Sequence, residues 1–368
     1  MSVKTIAVVG LGNAGHTLHL PALAGIDGVE VVGACDLSAD MRKRAADTWK
    51  VPVFESFETM LEKASPDVVI VATPPDTHRD YGLKTLRSGA HLICEKPFVS
   101  SLDEADDLIA AAEETGRRIA LNHEFREMPI FRAVLDASDS GDTGRLVFAQ
   151  VWQLMDLPPW AEPGWRGQML QRTLYEAGVH LVDYLMALFG ERPVAVQAWT
   201  STCGVREGET DAVALVTLEF SDGRLANIVQ NRLCKGETQY FEVRADTAGA
   251  SLRASFGGRA RMTAGLYRSS KPKVRVEFGI SGMAWKEFGS DRRFLARNPK
   301  DPGMIATRYV LEKTLVAFRD GTAPPADAQC GRDVLEVIAA CYHSASEGRR
   351  VALDSPEVKA LSGLAMGA

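Results

Sequence analysis

At 368 residues, with 46% hydrophobic and 24% charged residues, the chain exceeds one ordinary core, and two domains are expected, neither needing a disulfide or metal staple. A formal charge of -6 offers no basic surface for nucleic acid, and no stretch reaches the roughly 18 apolar residues of a membrane span. Scattered cysteines without a Cys-x-x-Cys pair, and a start that runs straight into a strand without a leader, predict reduced thiols in a cytoplasmic protein.

Residues 5–9 are a short β-branched run that ends in Gly10-Leu11-Gly12-Asn13-Ala14-Gly15. A glycine triplet that closes a strand and opens a helix has a mechanical reading. Gly10 permits the tight turn, Gly12 lets the backbone approach a pyrophosphate, Gly15 lets helix and strand pack, and the N–H groups around Asn13 and Ala14 bind phosphate. Pro21 should kink that helix or end it early. The next strand, 29–35, leads into Asp36, placed to accept from the ribose hydroxyls of NAD and to repel a 2′-phosphate. Arg42 and Lys43 leave room for NADP as the less favoured cofactor.

Alternation continues with a helix at 57–63, a buried strand at 67–72, a helix at 80–88 and a strand at 91–94 that delivers Glu95-Lys96-Pro97. Ser101-x-x-Glu104 has the form of a capping box, Gly116 should end its helix, and 118–121 reads as one more strand. Repeated units of this kind give an α/β domain, a Rossmann doubly wound parallel sheet over residues 1–122. Thr73 and Pro74 lie at the carboxyl end of a strand, where ligand loops stand. Thr73 and His78 are candidate cofactor contacts, with a water-facing helix residue as the plain alternative for His78.

After Asn122 the rhythm changes. Strands at 146–154, 194–199, 212–220, 225–231 and 240–244, with a turn at Ser221-Asp222-Gly223, predict a C-terminal α+β domain over 123–368. Its sheet should be large, open and mostly antiparallel, and terminal segments could return onto the first domain. One bare face of that sheet suggests a homodimer or homotetramer. Residues 256–302 show weak periodicity and read as extended loop, followed by helices at 304–319 and 332–347.

Glu176, His180 and Asp183 are spaced to share one side of a helix, with Glu176 at or just before its start. As metal ligands they lack a fourth partner. As structural pairs, Glu176 would satisfy His180. As acid/base machinery, His180 oriented by Glu176 would take a hydroxyl proton near neutral pH while hydride leaves the alcohol carbon. Lys96 at the sheet's carboxyl end would stabilise the developing alkoxide, or else form a surface pair with Glu95. His16 and His19 read as ordinary helix residues. Arg126, Arg166, His123 and the tryptophans Trp152, Trp160 and Trp165 are candidate substrate contacts, core packing being the alternative for each tryptophan.

Together these motifs resemble the Gfo/Idh/MocA oxidoreductase family. The resemblance runs over Gly10 to Gly15, His19-Leu20-Pro21-Ala22-Leu23, Asp36, Ala72-Thr73-Pro74-Pro75 with His78, Glu95-Lys96-Pro97, Asn122 with Arg126, Trp165-Arg166, and Gly178-x-His180-x-x-Asp183. It implies Lys96 and His180 as the catalytic pair, with Thr73, Pro74, His78, Glu95 and Asn122 around the cofactor. It also implies an NAD-dependent enzyme moving a hydride between nicotinamide C4 and a secondary hydroxyl or ketone of a sugar, cyclitol or polyol. Two other outcomes fit the resemblance: oxidation-elimination without net redox, as in a glycosidase or lyase, and a non-catalytic nucleotide-sensing protein. The chain departs from the pattern where Glu176 replaces the usual aspartate and Gln171-Arg172-Thr173-Leu174-Tyr175 replaces a glycine-rich lead-in.

Overall fold

The computed structural model describes residues 3–158, 161, 164–204, 210–236, 239–256, 259–265, 273–279, 282–289 and 291–361. The chain divides into two compact units. The first holds residues up to Glu127, Gly303–Ala339 and the segment from Pro356; the second holds Met128–Pro302 and Ala340–Ser355.

The first unit is built on β1 (Thr5–Val9), β2 (Glu30–Cys35), β3 (Val53–Phe54), β4 (Val68–Val71), β5 (His91–Cys94) and β6 (Ile119–Leu121). All their pairings are parallel, in the order β3-β2-β1-β4-β5-β6. The order reverses between β1 and β4, so loops leaving the carboxyl ends of these two strands turn to opposite faces and leave a crevice between them. Every residue of β4 is buried, as expected for a strand covered on both faces. Helix Pro302–Asp320 lends Leu311, Leu315 and Phe318 to the core formed by Ile6, Val8, Leu20 and Ile70.

Local chemistry fixes the helix ends. The side chains of Ser38, Ser56 and Ser101 accept backbone N–H groups at the starts of Ala39–Trp49, Phe57–Ala64 and Leu102–Thr115, and such caps contribute about 1 kcal/mol each. Glu104 reaches back to the N–H of Ser100, and Gly116 closes its helix at φ 65°. After the glycine turn the helix is π-helical over Gly15–His19 and stops after Leu23. Pro21 explains this: its ring would press on the carbonyl one α-turn back, and a wider turn makes room for it.

The second unit carries β7 (Leu146–Leu154), β8 (Ala195–Ser201), β9 (Val213–Glu219), β10 (Leu225–Asn231), β11 (Gln239–Thr247) and β12 (Ser251–Phe256). The hairpin β13 (Arg259–Gly265) and β14 (Lys273–Gly279) follows, then β15 (Met283–Phe288), β16 (Asp291–Arg297) and β17 (Val351–Ala352). The nine-stranded sheet runs β16-β15-β12-β11-β7-β10-β9-β8-β17, antiparallel except for the β7–β10 pair. The reading of 256–302 as loop is therefore corrected: β13 to β16 lie there. Strand β16 shows no clean alternation of burial, because at a sheet's edge backbone pairing is satisfied without two contrasted faces.

One face of this sheet is covered by helices Pro129–Asp139 and Val179–Phe189, where Phe131, Tyr184 and Phe241 pack ring against ring at 4.4–5.7 Å. The opposite face carries an apolar row, Trp199 beside Leu215, Val229 and Trp152 in register. Among the described residues no helix is long and apolar enough to cross a membrane.

Candidate active site

The glycine turn is fixed by close contacts that tolerate no side chain at two of its three glycines. Gly10 has φ +88°, and a Cβ there would stand 2.5 Å from the Ala72 carbonyl oxygen. A Cβ on Gly15 would meet the Gly10 oxygen at 2.0 Å, whereas one on Gly12 would find no atom within 4 Å. Gly10 and Gly15 thus serve packing, and Gly12 with exposed Asn13 and half-buried Ala14 presents open backbone of the kind a pyrophosphate approaches.

Asp36 ties this turn to the end of β2. Its Oδ2 accepts the Leu11 N–H at 2.8 Å and its Oδ1 the Ser38 N–H at 2.8 Å. Arg42 is drawn inward, its Nη1 donating to the carbonyls of Asp36 and Leu37 at 2.8 and 2.9 Å and its Nη2 to Glu55 at 3.3 Å. Lys43 is exposed and pairs with Asp47 at 3.7 Å.

Thr73 and Pro74 are half-buried at the end of β4, and Thr77 Oγ1 bonds to both Thr73 Oγ1 and the Pro74 carbonyl at 2.7 Å. His78 does not face water: it is fully buried, with Nε2 2.8 Å from the Thr73 carbonyl and Nδ1 2.9 and 3.1 Å from those of Phe98 and Pro97. Burial lowers its pKa against the pull of those carbonyls and of Glu95. The ring is a strut that fastens the loop after β4 to the segment after Lys96.

Glu95, at the end of β5, is buried with an ionised carboxylate. Its Oε1 accepts from His19 Nε2 and Asn122 Nδ2, both at 2.7 Å, and its Oε2 accepts the Lys96 N–H at 3.2 Å. Burial alone would raise its pKa, but the bond to His19, the charges of His19 and Lys96 and the bond to Asn122 hold it well below the ordinary value. Lys96 is half-buried directly after this anchor, so its backbone is held at the carboxyl end of the sheet. Asn122 is fully buried, and its Oδ1 has no partner among the described residues. A buried acceptor of this kind suits a donor brought by a ligand. With the open backbone at Gly12, these features fit a dinucleotide. Arg126 reaches the Pro325 carbonyl at 3.0 Å and Cys330 Sγ at 2.9 Å, and His123 is buried.

Glu176 and His180 belong to the second unit. The helical stretch opens with a π-helix, Thr173–Gly178, and continues as Val179–Phe189, so Glu176 lies inside it rather than at its threshold. Asp211 caps the start, its Oδ1 accepting the N–H groups of Arg172 and Thr173 at 2.6 and 2.9 Å, while Tyr342 bonds its Oδ2 at 3.1 Å. Gly178 lets the helix approach the sheet, since a Cβ there would come within 3.0 Å of Gln230 Oε1. His180 is buried, 5% exposed, one turn past Glu176.

Glu176 is surrounded by arginines. Its Oε1 lies 3.1 Å from Arg166 Nε, and its Oε2 lies 3.1 Å from Arg232 Nη1 and 3.6 Å from Arg172 Nε. Arg166 also stacks on Trp165 at 4.3 Å. Trp152 is not brought to this group. Gln153, its neighbour on β7, bonds Gln230 Nε2, which also reaches the Thr173 carbonyl at 3.3 Å, and successive residues of a strand point to opposite faces. Trp160 lies outside the described residues. Among the described residues no three His, Cys, Asp or Glu side chains are grouped to hold a metal.

Two family models match the chain: one described as an oxidoreductase family with an NAD-binding Rossmann fold over residues 4–123, the other as the GFO/IDH/MocA C-terminal domain over residues 131–251. The chain belongs to the Gfo/Idh/MocA oxidoreductase family. Membership makes it an NAD(P)-dependent oxidoreductase of the dehydrogenase and reductase type. It is 30% identical over 192 residues to 1,5-anhydro-D-fructose reductase of Ensifer adhaerens, a match covering 51% of this chain and 57% of that enzyme. D-apiose dehydrogenase of Paraburkholderia graminis is 24% identical over 363 residues, 96% of this chain and 91% of the relative. An oxidoreductase from Agrobacterium radiobacter, solved with NAD+, L-tartaric acid and magnesium, shares the fold with TM-score 0.80 at 16% identity, covering 95% of this chain and 98% of that one.

Within this Gfo/Idh/MocA chain, sequence reasoning passed over two partners. His19 reads as an ordinary helix residue, yet it is fully buried and holds Glu95. Arg232 ends a strand-like run without any local signal, yet it holds Glu176. The cue for His19 was its place in the His19-Leu20-Pro21-Ala22-Leu23 run that carries part of the family resemblance.

Proposed function

We propose that the chain is an NAD-dependent dehydrogenase or reductase that moves a hydride between nicotinamide C4 and a secondary hydroxyl or ketone carbon of a sugar, cyclitol or related polyol. The observation that carries the reading is the open glycine turn at the reversal point of the parallel sheet, on the same sheet edge where buried Glu95 anchors Lys96. When bound, the nicotinamide supplies the hydride acceptor or donor. Gly12, Asn13, Ala14 and the helix start receive its pyrophosphate, and Thr73, Pro74, His78, Glu95 and Asn122 shape or line its pocket.

The Lys96 ammonium stabilises negative charge on the substrate oxygen, and His180 takes the hydroxyl proton in oxidation and returns it in reduction. NAD is favoured over NADP because the Asp36 carboxylate stands at the end of β2 and Arg42 is engaged by carbonyls and Glu55 instead of being free for a 2′-phosphate. A cytoplasmic homodimer or homotetramer fits this reading, with the uncovered sheet face of the second unit as the subunit contact.

The test is a panel of sugars and cyclitols offered with NAD while reduced nicotinamide is followed by absorbance. Accumulation that falls with Lys96→Ala supports the proposal. Product release without accumulation would point to oxidation-elimination. Tight NAD binding with no turnover, and function kept in His180→Ala, would point to a nucleotide sensor.

A further inference from the structure

Around Glu176 one carboxylate is shared by Arg166, Arg172 and Arg232, at 3.1, 3.6 and 3.1 Å. Arg172 and Arg232 are buried, with side chains 0% and 1% exposed, whereas Arg166 is 39% exposed. Like charges this close are costly. Burial and the neighbouring charge of Arg232 bring the Arg172 pKa down to about 10, so it is still a cation at neutral pH. Two buried guanidinium groups on Glu176 Oε2 offset much of that carboxylate's charge, and the positive charge of Arg166 is left largely uncancelled.

Arg166 is also fixed in orientation. Its Nε is given to Glu176 and its Cζ lies over the Trp165 ring, 4.3 Å from the centroid. Among the described residues its two terminal amines make no hydrogen bond, and the side chain is partly exposed. A planar guanidinium held along one edge and one face, with the far edge open, matches the two oxygens of a carboxylate.

We propose that this second-unit site selects substrates that carry a carboxylate, a sugar acid rather than a neutral sugar, with Arg166 as the residue that binds it. The proposal rests on the dehydrogenase reading for what happens next to the bound molecule. Glu176 and His180 are one helical turn apart, a rise of about 6 Å, so the carboxylate would sit a few carbons from the hydroxyl that His180 serves.

Binding and turnover separate the two readings. D-glucuronate, D-galacturonate and D-gluconate are compared with glucose and galactose, first by the thermal shift each gives the full chain in the presence of NAD, then by nicotinamide reduction. The expected result is stabilisation by at least one of the carboxylates, little by the neutral sugars, and a loss of about 10- to 100-fold in affinity for the carboxylate in Arg166→Gln. NAD affinity and far-UV circular dichroism should be unchanged in that variant, which together establish that both units fold. Binding of a carboxylate without nicotinamide reduction keeps this inference and sinks the dehydrogenase reading. Reduction with neutral sugars at equal or better kcat/KM, or equal loss for acids and neutral sugars in Arg166→Gln, overturns the inference and leaves the dehydrogenase reading standing.

Discussion

Glu95 carries a charge in the interior, held by His19, Asn122 and the Lys96 backbone. Its pKa in the folded chain is depressed, since the bond and charge of His19, the charge of Lys96 and the bond to Asn122 outweigh burial. The folded state therefore favours the ionised form. Its contribution to stability is complete above the unfolded carboxylate value and is lost as pH falls through the folded one. Glu95→Gln should accordingly cost at least about 1 kcal/mol in urea unfolding near neutral pH, and the gap from the natural chain should shrink as the pH is taken below about 4.5. A gap that stays constant into acid would show that Glu95 is not ionised in the folded state. The same residue shows why the site was only half legible in sequence. Glu95-Lys96-Pro97 is a local motif at a strand end, but its anchor His19 lies 76 residues away, and Arg232 lies 56 residues from Glu176. Partners at such separations leave no periodic trace.

At the scale of elements, the glycine turn separates packing from binding. Gly10→Ala places a methyl 2.5 Å from backbone at a φ of +88°, and should destabilise the chain by about 1–3 kcal/mol or more. Gly12→Val enters open space, so stability should change by less than about 0.5 kcal/mol while NAD affinity falls at least about 10-fold. Chemical denaturation and a binding titration on the two variants check this; a Gly12→Val chain that binds NAD normally would contradict the assignment of the turn. Elements were legible where one rule governed them. Strands β1, β5, β7 and β10 fall where a buried run or a strict alternation places them. Strands β15 and β16 were not legible, because Asp291-Arg292-Arg293-Phe294 offers charge on both sides of an edge strand and pairing there is decided by the neighbouring backbone. The helix start at Thr173 was misread for a similar reason: its cap, Asp211, comes from a distant segment.

For the whole molecule, the uncovered face of the nine-stranded sheet is the feature that most constrains assembly. Trp199 and Leu215, cross-strand partners on β8 and β9, are 51% and 43% exposed, and with Val229 and Trp152 in register beyond them they form an apolar row of the sort that marks a contact between subunits. Trp199→Glu combined with Leu215→Arg should lower the mass measured by light scattering toward that of one chain, with the folded secondary structure intact. A natural chain that is already monomeric at tens of micromolar would refute the assignment of that face.

The measurement that bears most directly on the chemistry is the single-turnover rate of nicotinamide reduction in Lys96→Ala and His180→Ala, with NAD affinity measured on the same preparations. Each variant should bind NAD within about threefold of the natural chain and reduce it about 10²- to 10⁴-fold more slowly. Unchanged reduction in either variant, or loss of rate explained entirely by loss of NAD binding, would contradict the roles given to Lys96 and His180.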